Sequence, residues 1–294
     1  MNKGLWDDAP VRRGEYFVFH DESIPDNRWL LIGLTFVKTS EIYQVRDCLT
    51  AARRQEDYDG EVHFADLPKS FEGQFGGKAR LARGWMNDYE KNLADAVSFS
   101  CLALDKGSPA YIPRKFGTDF HAYNRFTAMA LKAGISWHLG PKGLEEVGID
   151  FVSDAKDRTT RPDQGLIDNF ESYLPYRAAL DSHLSQFNGN RYPRVELRIE
   201  LFDSAREDLL QLTDLLLGAT QMALVAKAQR RVKREIGEFV IRWCEDLRRP
   251  PWQQQLGLYR RFNVWAFPDK DGKVCDVGKI RFELPPGVGQ LSLF

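Results

Sequence analysis

The chain has 294 residues, enough for one large core or one core with a small appendage. Hydrophobic residues make up 43% and charged residues 28%, with a net charge of −1, ordinary values for a soluble globular protein. No apolar run is long enough to span a bilayer and Met1–Arg13 is not a signal peptide, so no membrane partner is expected and the cytoplasm is the expected location. Cys48, Cys101, Cys244 and Cys275 stand far apart without a Cys-x-x-Cys, which argues against zinc and disulfide frameworks.

A polar lead-in (1–14) precedes Glu15–Ser23, E-Y-F-V-F-H-D-E-S. Its apolar run lacks alternation, as expected of a strand covered on both faces. It ends in Asp21 and Glu22, acids set beside low-dielectric core, where an unpaired charge is costly. A divalent cation would offset that cost; alternatively Asp21 simply opens the turn before Pro25. Arg28–Val37 reads as a second strand, and Ser40 as the N-cap of a helix running to about Gln55. Glu56–Gly77 is expected to be a long loop carrying Glu61, His63 and Asp66, and loops of that length are often functional.

Helices are expected over Lys78–Leu93 and Phe120–Leu139, with a strand at Ala96–Leu104 between them. Val147–Ser153 reads as a strand delivering Asp154 at its end, with Asp150 on the same face as the alternate acid. Pro162–Leu184 has a weak helical pattern, and Arg194–Phe202 alternates as a half-exposed strand should. Asp203-Ser204 then caps a nearly all-apolar helix, L-L-Q-L-T-D-L-L-L-G-A, interrupted by Gln211 and Asp214. These two share a face and need partners in a buried setting. An aspartate from a central strand meeting one from a packed helix is a common way to hold Mg²⁺ or Mn²⁺.

That helix is expected to continue to Arg234, with Lys227, Arg230, Arg231 and Arg234 along one flank until Pro250-Pro251 breaks it. Lys227–Arg261 holds ten Lys or Arg against four Asp or Glu, a plausible nucleic-acid footprint or a solvated face. Phe262–Phe267 and Lys273–Phe282 read as a hairpin around D-K-D-G. The expected organisation is a domain over 15–226, a basic helix and hairpin extension over 227–284, and a tail over 285–294. Two strands followed by strands alternating with helices indicate an α/β fold with a mixed sheet flanked by helices.

D-E-S after a first strand, with Q-L-T-D before L-L-L-G-A, resembles the bacterial family catalogued as domain of unknown function 3800. The resemblance spans about Tyr16 to Gln221 and implies a ribonuclease H-like fold and nuclease chemistry on two metals. Its motifs cover Asp21, Glu22 and Asp214 as catalytic acids, and Asp154, an acid at a strand end like Asp21, is the third expected ligand. Asp21 would bridge the metals with Asp154 and Asp214 each holding one side, and Glu22 joins them only if the strand ends at Asp21. A fourth ligand stays open among Glu22, Glu61, Asp150 and Asp203. His63-Phe64 resembles a His-aromatic pair that family members often carry, although a lone histidine is commonly structural. Gln211 is placed to orient a water or a phosphate oxygen. A non-catalytic nucleic-acid-binding protein on the same fold is the alternative.

The last five residues, Gln290-Leu291-Ser292-Leu293-Phe294, resemble the pentapeptide by which bacterial polymerases and repair proteins dock on the DNA sliding clamp. Leu293 and Phe294 would be the buried anchors, with Leu291 supporting them and Gln290 bonding at the rim. The resemblance implies a bacterial sliding clamp as partner and favours DNA over RNA.

Overall fold

The structure is a computed structural model that describes residues 11–24, 28–115, 119–154, 168–188, 192–225 and 230–275. Lys227, most of the expected second hairpin strand and the pentapeptide at 290–294 lie outside the described residues.

One six-stranded mixed sheet organises the chain. Its strands are β1 (Arg13–Ser23), β2 (Trp29–Lys38), β3 (Val97–Asp105), β4 (Glu146–Asp154), β5 (Arg194–Phe202) and β6 (Phe262–Phe267), in the order β5-β4-β1-β2-β3-β6. β1, β2 and β3 form an antiparallel meander, whereas β4 lies parallel to β1, β5 parallel to β4, and β6 parallel to β3. β1 and β4 are central and covered on both faces, which is why their sequences run apolar without strict alternation. β5 is the outer strand on one side, and its alternation reflects one exposed face.

Alternation sends side chains of each strand into two separate cores. Phe19, Leu31, Val37, Phe99, Cys101 and Val152 face one core, closed by α1 (Ile42–Glu56), α2 (Gly77–Lys91), α5 (Asp208–Val225) and α6 (Arg231–Arg248). Val18, Ile32, Leu34, Leu102, Ile149 and Phe151 face the other, closed by α3 (Asp119–Gly134) and α4 (Phe170–Phe187). α5 is apolar nearly all round because it lies between the sheet and α6. α6 buries Val232, Ile236, Phe239, Val240 and Trp243 and turns most of its charges outward, the pattern of an outer-layer helix; Asp246 is the buried exception, accepting the Gln255 and Leu256 N–H groups.

The α/β expectation, a mixed sheet flanked by helices, is met, and two local expectations are corrected. Ser40 does not cap α1: a 3₁₀ turn over Thr39–Glu41 enters the helix, and Glu41 stands at the N-cap without a side-chain bond. The basic helix is not a continuation of α5: Arg230 is extended and α6 starts at Arg231, so Arg231 and Arg234 sit on a new helix. In the C-terminal part, α6 packs on α5 and β6 joins the main sheet beside β3. Beyond β6, an antiparallel bridge between Ala266 and Cys275 is what the described residues show of the expected hairpin. All four cysteines are free thiols. No helix among the described residues is long and apolar enough to cross a membrane.

Candidate active site

The acids meet because of strand register. β1 and β4 are aligned with His20 opposite Ser153, so Asp21 and Asp154 are the next residues on neighbouring parallel strands. Adjacent strands lie about 4.8 Å apart. Phe19 and Val152, two residues earlier on each strand, face the α5 core, and alternation gives Asp21 and Asp154 the same face. On the opposite face His20 is fully buried, with Nδ1 3.0 Å from Ser153 Oγ, tying the two strand ends together. α5 crosses over β1, and Ser23 donates to Gln221 of α5 at 2.7 Å. Asp21, Asp154 and Asp214 therefore line one cleft, joined there by Glu61, His63 and Gln211.

The loop that brings Glu61 and His63 to this cleft is held by its backbone. Gln211 Oε1 accepts the Val62 N–H at 2.8 Å, and Asp214 Oδ2 accepts the Phe64 N–H at 2.6 Å. The spacing explains itself. Residues three apart on a helix present side chains about 5–6 Å apart. Residues two apart in an extended chain are separated by roughly 6.6 Å and address the same side. Arg53 adds a bond to the Gly60 carbonyl at 2.8 Å, Lys233 one to Ala65 O at 2.8 Å, and Arg230 one to Leu67 O at 2.9 Å. Side chains from α1, α5 and the start of α6 thus grip one loop.

His63 is set by the same loop. Its Nδ1 accepts the Ala65 N–H at 3.2 Å, which assigns the proton of the neutral ring to Nε2. Nε2 lies 3.4 Å from Asp214 Oδ1. Lys233 reaches over the Phe64 ring, and burial holds its ammonium below the usual lysine range. Nearby Arg230 adds to that lowering, while Asp66 and Asp214 pull the other way.

The other expected residues are placed as follows. Glu22 is separated from Asp21 because β1 continues to Ser23, which turns Glu22 to the opposite face, where it accepts from the Tyr123 hydroxyl at 3.0 Å. Asp150 lies four residues before the strand end and is 3.6 Å from Arg198. Asp203 caps the Ala205 N–H at 3.1 Å and lies 3.5 Å from Arg206. Of the four candidates for a fourth acid, Glu61 is the one lining the cleft. Gln211 is buried, and besides Val62 it bonds Arg53 at 2.8 Å and the Ser204 carbonyl at 2.9 Å, so its amide is committed to the protein. That corrects the expectation of a substrate-orienting role. Arg230 is likewise committed to Leu67, and Arg231 pairs with Glu235 at 2.7 Å.

The donor chemistry, carboxylate oxygen without thiolate, suits a hard cation such as Mg²⁺ or Mn²⁺. Among the described residues, however, no group of three or more His, Cys, Asp or Glu is placed to hold a metal ion. Asp154 instead takes the Ser204 N–H at 3.3 Å and Asp214 takes that of Phe64, so each carboxylate rests on a backbone donor of its own.

Arg53 and Lys233 are the site-building residues that sequence patterns did not single out. Lys233 sits in a basic run where a solvated side chain is the ordinary reading, and Arg53 in one as well.

No family model matches the chain, and no curated protein matches it. Among solved structures, it is similar to the ribonuclease H2 of Pyrococcus horikoshii OT3 at 12% identity and a TM-score of 0.35, over 84% of this chain and 92% of that one. It is also similar to a chain of the PCNA:RNase HII complex from Archaeoglobus fulgidus at 12% identity and a TM-score of 0.31, over 80% and 91%. Likenesses of that size leave the mixed α/β architecture to stand on its own strand order.

Proposed function

We propose that the chain is a divalent-metal-dependent nuclease of the ribonuclease H-like class, acting on DNA. The observation that carries this reading is the placement of Asp21 and Asp154 side by side on parallel strand ends, beneath Asp214 on α5. Asp21, Asp154 and Asp214 would hold Mg²⁺ or Mn²⁺, with Glu61 as the fourth acid. The ions would supply an activated water and neutralise charge at the phosphate and leaving oxygen. His63 presents its Nε2 proton to the cleft, where it can donate to a substrate oxygen. The held loop keeps that ring beside Asp214. The Gln-x-x-Asp spacing acquires a physical role as the grip on this loop, which supports membership of the family catalogued as domain of unknown function 3800.

The test is a cleavage screen of the full chain over single- and double-stranded DNA, RNA and hybrids with Mg²⁺, with Mn²⁺ and with chelator. Cleavage of DNA that chelator abolishes is the expected result. Absence of cleavage on every substrate sinks the reading. It would leave the second reading, a non-catalytic nucleic-acid-binding protein, which the ungathered acids favour.

Recruitment to a bacterial sliding clamp rests on the sequence Gln290-Leu291-Ser292-Leu293-Phe294. Tethering of that kind raises the local concentration of an enzyme on DNA without requiring sequence preference. Leu293→Ala with Phe294→Ala removes both anchors, and at about 2 kcal/mol per anchor the affinity for a bacterial clamp should drop several-hundredfold or more. Equal binding by both proteins, or none by the wild type, refutes recruitment.

A further inference from the structure

Arg83 of α2 and Arg231, Arg234 and Arg242 of α6 line one surface hollow of about 490 Å³, together with Glu235, Glu238 and Phe239. Along α6 the charged positions 231, 234, 235, 238 and 242 follow helical spacing, so they form one stripe roughly 16 Å long. Four guanidinium groups face two carboxylates in it, with Glu72 nearby raising the Arg231 pKa alongside Glu235.

The arginines are not equivalent. Arg231 is paired with Glu235, and Arg242 with Glu90 while lying 4.8 Å over the Phe239 ring. Arg83 lies 4.4 Å over Phe71, and neither it nor Arg234 makes a side-chain hydrogen bond or ion pair with any described residue. Glu238 stands four residues after Arg234, yet the two form no ion pair, unlike Arg231 and Glu235 at the same spacing. Two planar donor forks are therefore presented to solvent from two helices. Guanidinium is the group best matched to phosphate, which it can engage through two parallel bonds. Phe239, the aromatic residue in the hollow, is buried, so the surface offers no exposed ring on which a base could stack.

The hollow also connects to the cleft through the start of α6. Arg230 and Lys233 grip the loop at Leu67 and Ala65, and the intervening turns of the same helix aim Arg231 and Arg234 outward. We infer that this hollow binds phosphates of the nucleic-acid backbone, sequence-independently, as the strand leaves the cleft. The inference rests on the nuclease reading for its substrate, and it adds Arg83 and Arg242 to the interface.

The experiment measures binding of the full chain to a short fluorescein-labelled DNA duplex, in chelator, across a salt series. Arg83→Gln with Arg234→Gln is compared with wild type. Neither side chain makes a hydrogen bond or ion pair with a described residue, and Gln keeps the aliphatic stem of Arg83 against Phe71, so nearly equal melting curves are expected. Loss of two phosphate contacts should shrink the slope of log affinity against log salt by about 1.8. An unchanged slope, or no binding by the wild type, overturns the phosphate surface. Cleavage of the same duplex in Mn²⁺ reports separately. Cleavage with an unchanged slope removes the surface and keeps the nuclease. Binding with a reduced slope but without cleavage does the reverse.

Discussion

Replacing Asp214 by asparagine is expected to lower divalent-ion-dependent cleavage at least about a hundredfold while leaving the fold almost as stable as before. The asparagine carbonyl can still accept the Phe64 N–H that Asp214 takes at 2.6 Å, so that bond loses its charge assistance, about 1 kcal/mol, and the carboxylate oxygen 3.4 Å from His63 Nε2 is replaced by an amide. The chemistry loses much more. An ion held by carboxylates contributes several kcal/mol of transition-state stabilisation, and each 1.4 kcal/mol is about tenfold in rate. Asp214→Ala separates the two roles, because it removes the acceptor as well and should add about 1–3 kcal/mol of instability from the orphaned amide. Asp150→Asn is the control: its carboxylate lies 3.6 Å from Arg198 and outside the cleft, so cleavage should stay near wild type. Full activity in Asp214→Asn would remove Asp214 from the catalytic group.

How far this site is legible in the amino-acid sequence follows from the range of each interaction. Glu15–Ser23 and Leu209–Ala219 announce themselves, since an apolar run interrupted by an acid is visible without knowing what covers it. Asp154 is legible by the same logic, as an acid at a strand end. Register is another matter. Nothing near Asp21 says that β4 will align His20 with Ser153, because a parallel pairing is made across more than a hundred intervening residues. Glu22 depends on where β1 stops, and the polar Glu22-Ser23 pair does not reveal that pairing with β2 continues through both. Gln211 looks like a ligand because its neighbours are apolar, yet its partners are the Val62 amide, Arg53 and the Ser204 carbonyl. Backbone amides have no sequence signature. The break between α5 and α6 is hidden because helix formers continue on both sides of it. Phe262–Phe267 is recognisable as a strand, whereas its parallel place beside β3 is a long-range outcome that no local pattern carries.

Gly218→Ala is expected to disable the site without touching any of its acids. Gly218 lies one turn after Asp214 on α5, and a Cβ built there would meet Phe64 Cγ at 2.1 Å, Cδ1 at 2.4 Å and Cβ at 2.5 Å. Phe64 is buried and cannot retreat easily. Its amide is held by Asp214, and Lys233 both covers its ring and grips the next carbonyl. Alanine gains about 1 kcal/mol of helix propensity over glycine, against about 1–3 kcal/mol for overpacking, so global stability should change little or fall modestly. The larger effect is local, since the ring must move and carry His63 and the Phe64 amide with it. A displacement of about 1 Å in a catalytic group can cost around a hundredfold in rate, and a loss of that size is expected here. Phe64→Ala combined with Gly218→Ala removes the clash, and the pair should show strong favourable coupling in a double-mutant cycle of stability. Undiminished cleavage by Gly218→Ala, with stability raised by the helix-propensity gain alone, would show that the Phe64 wedge does not position the loop.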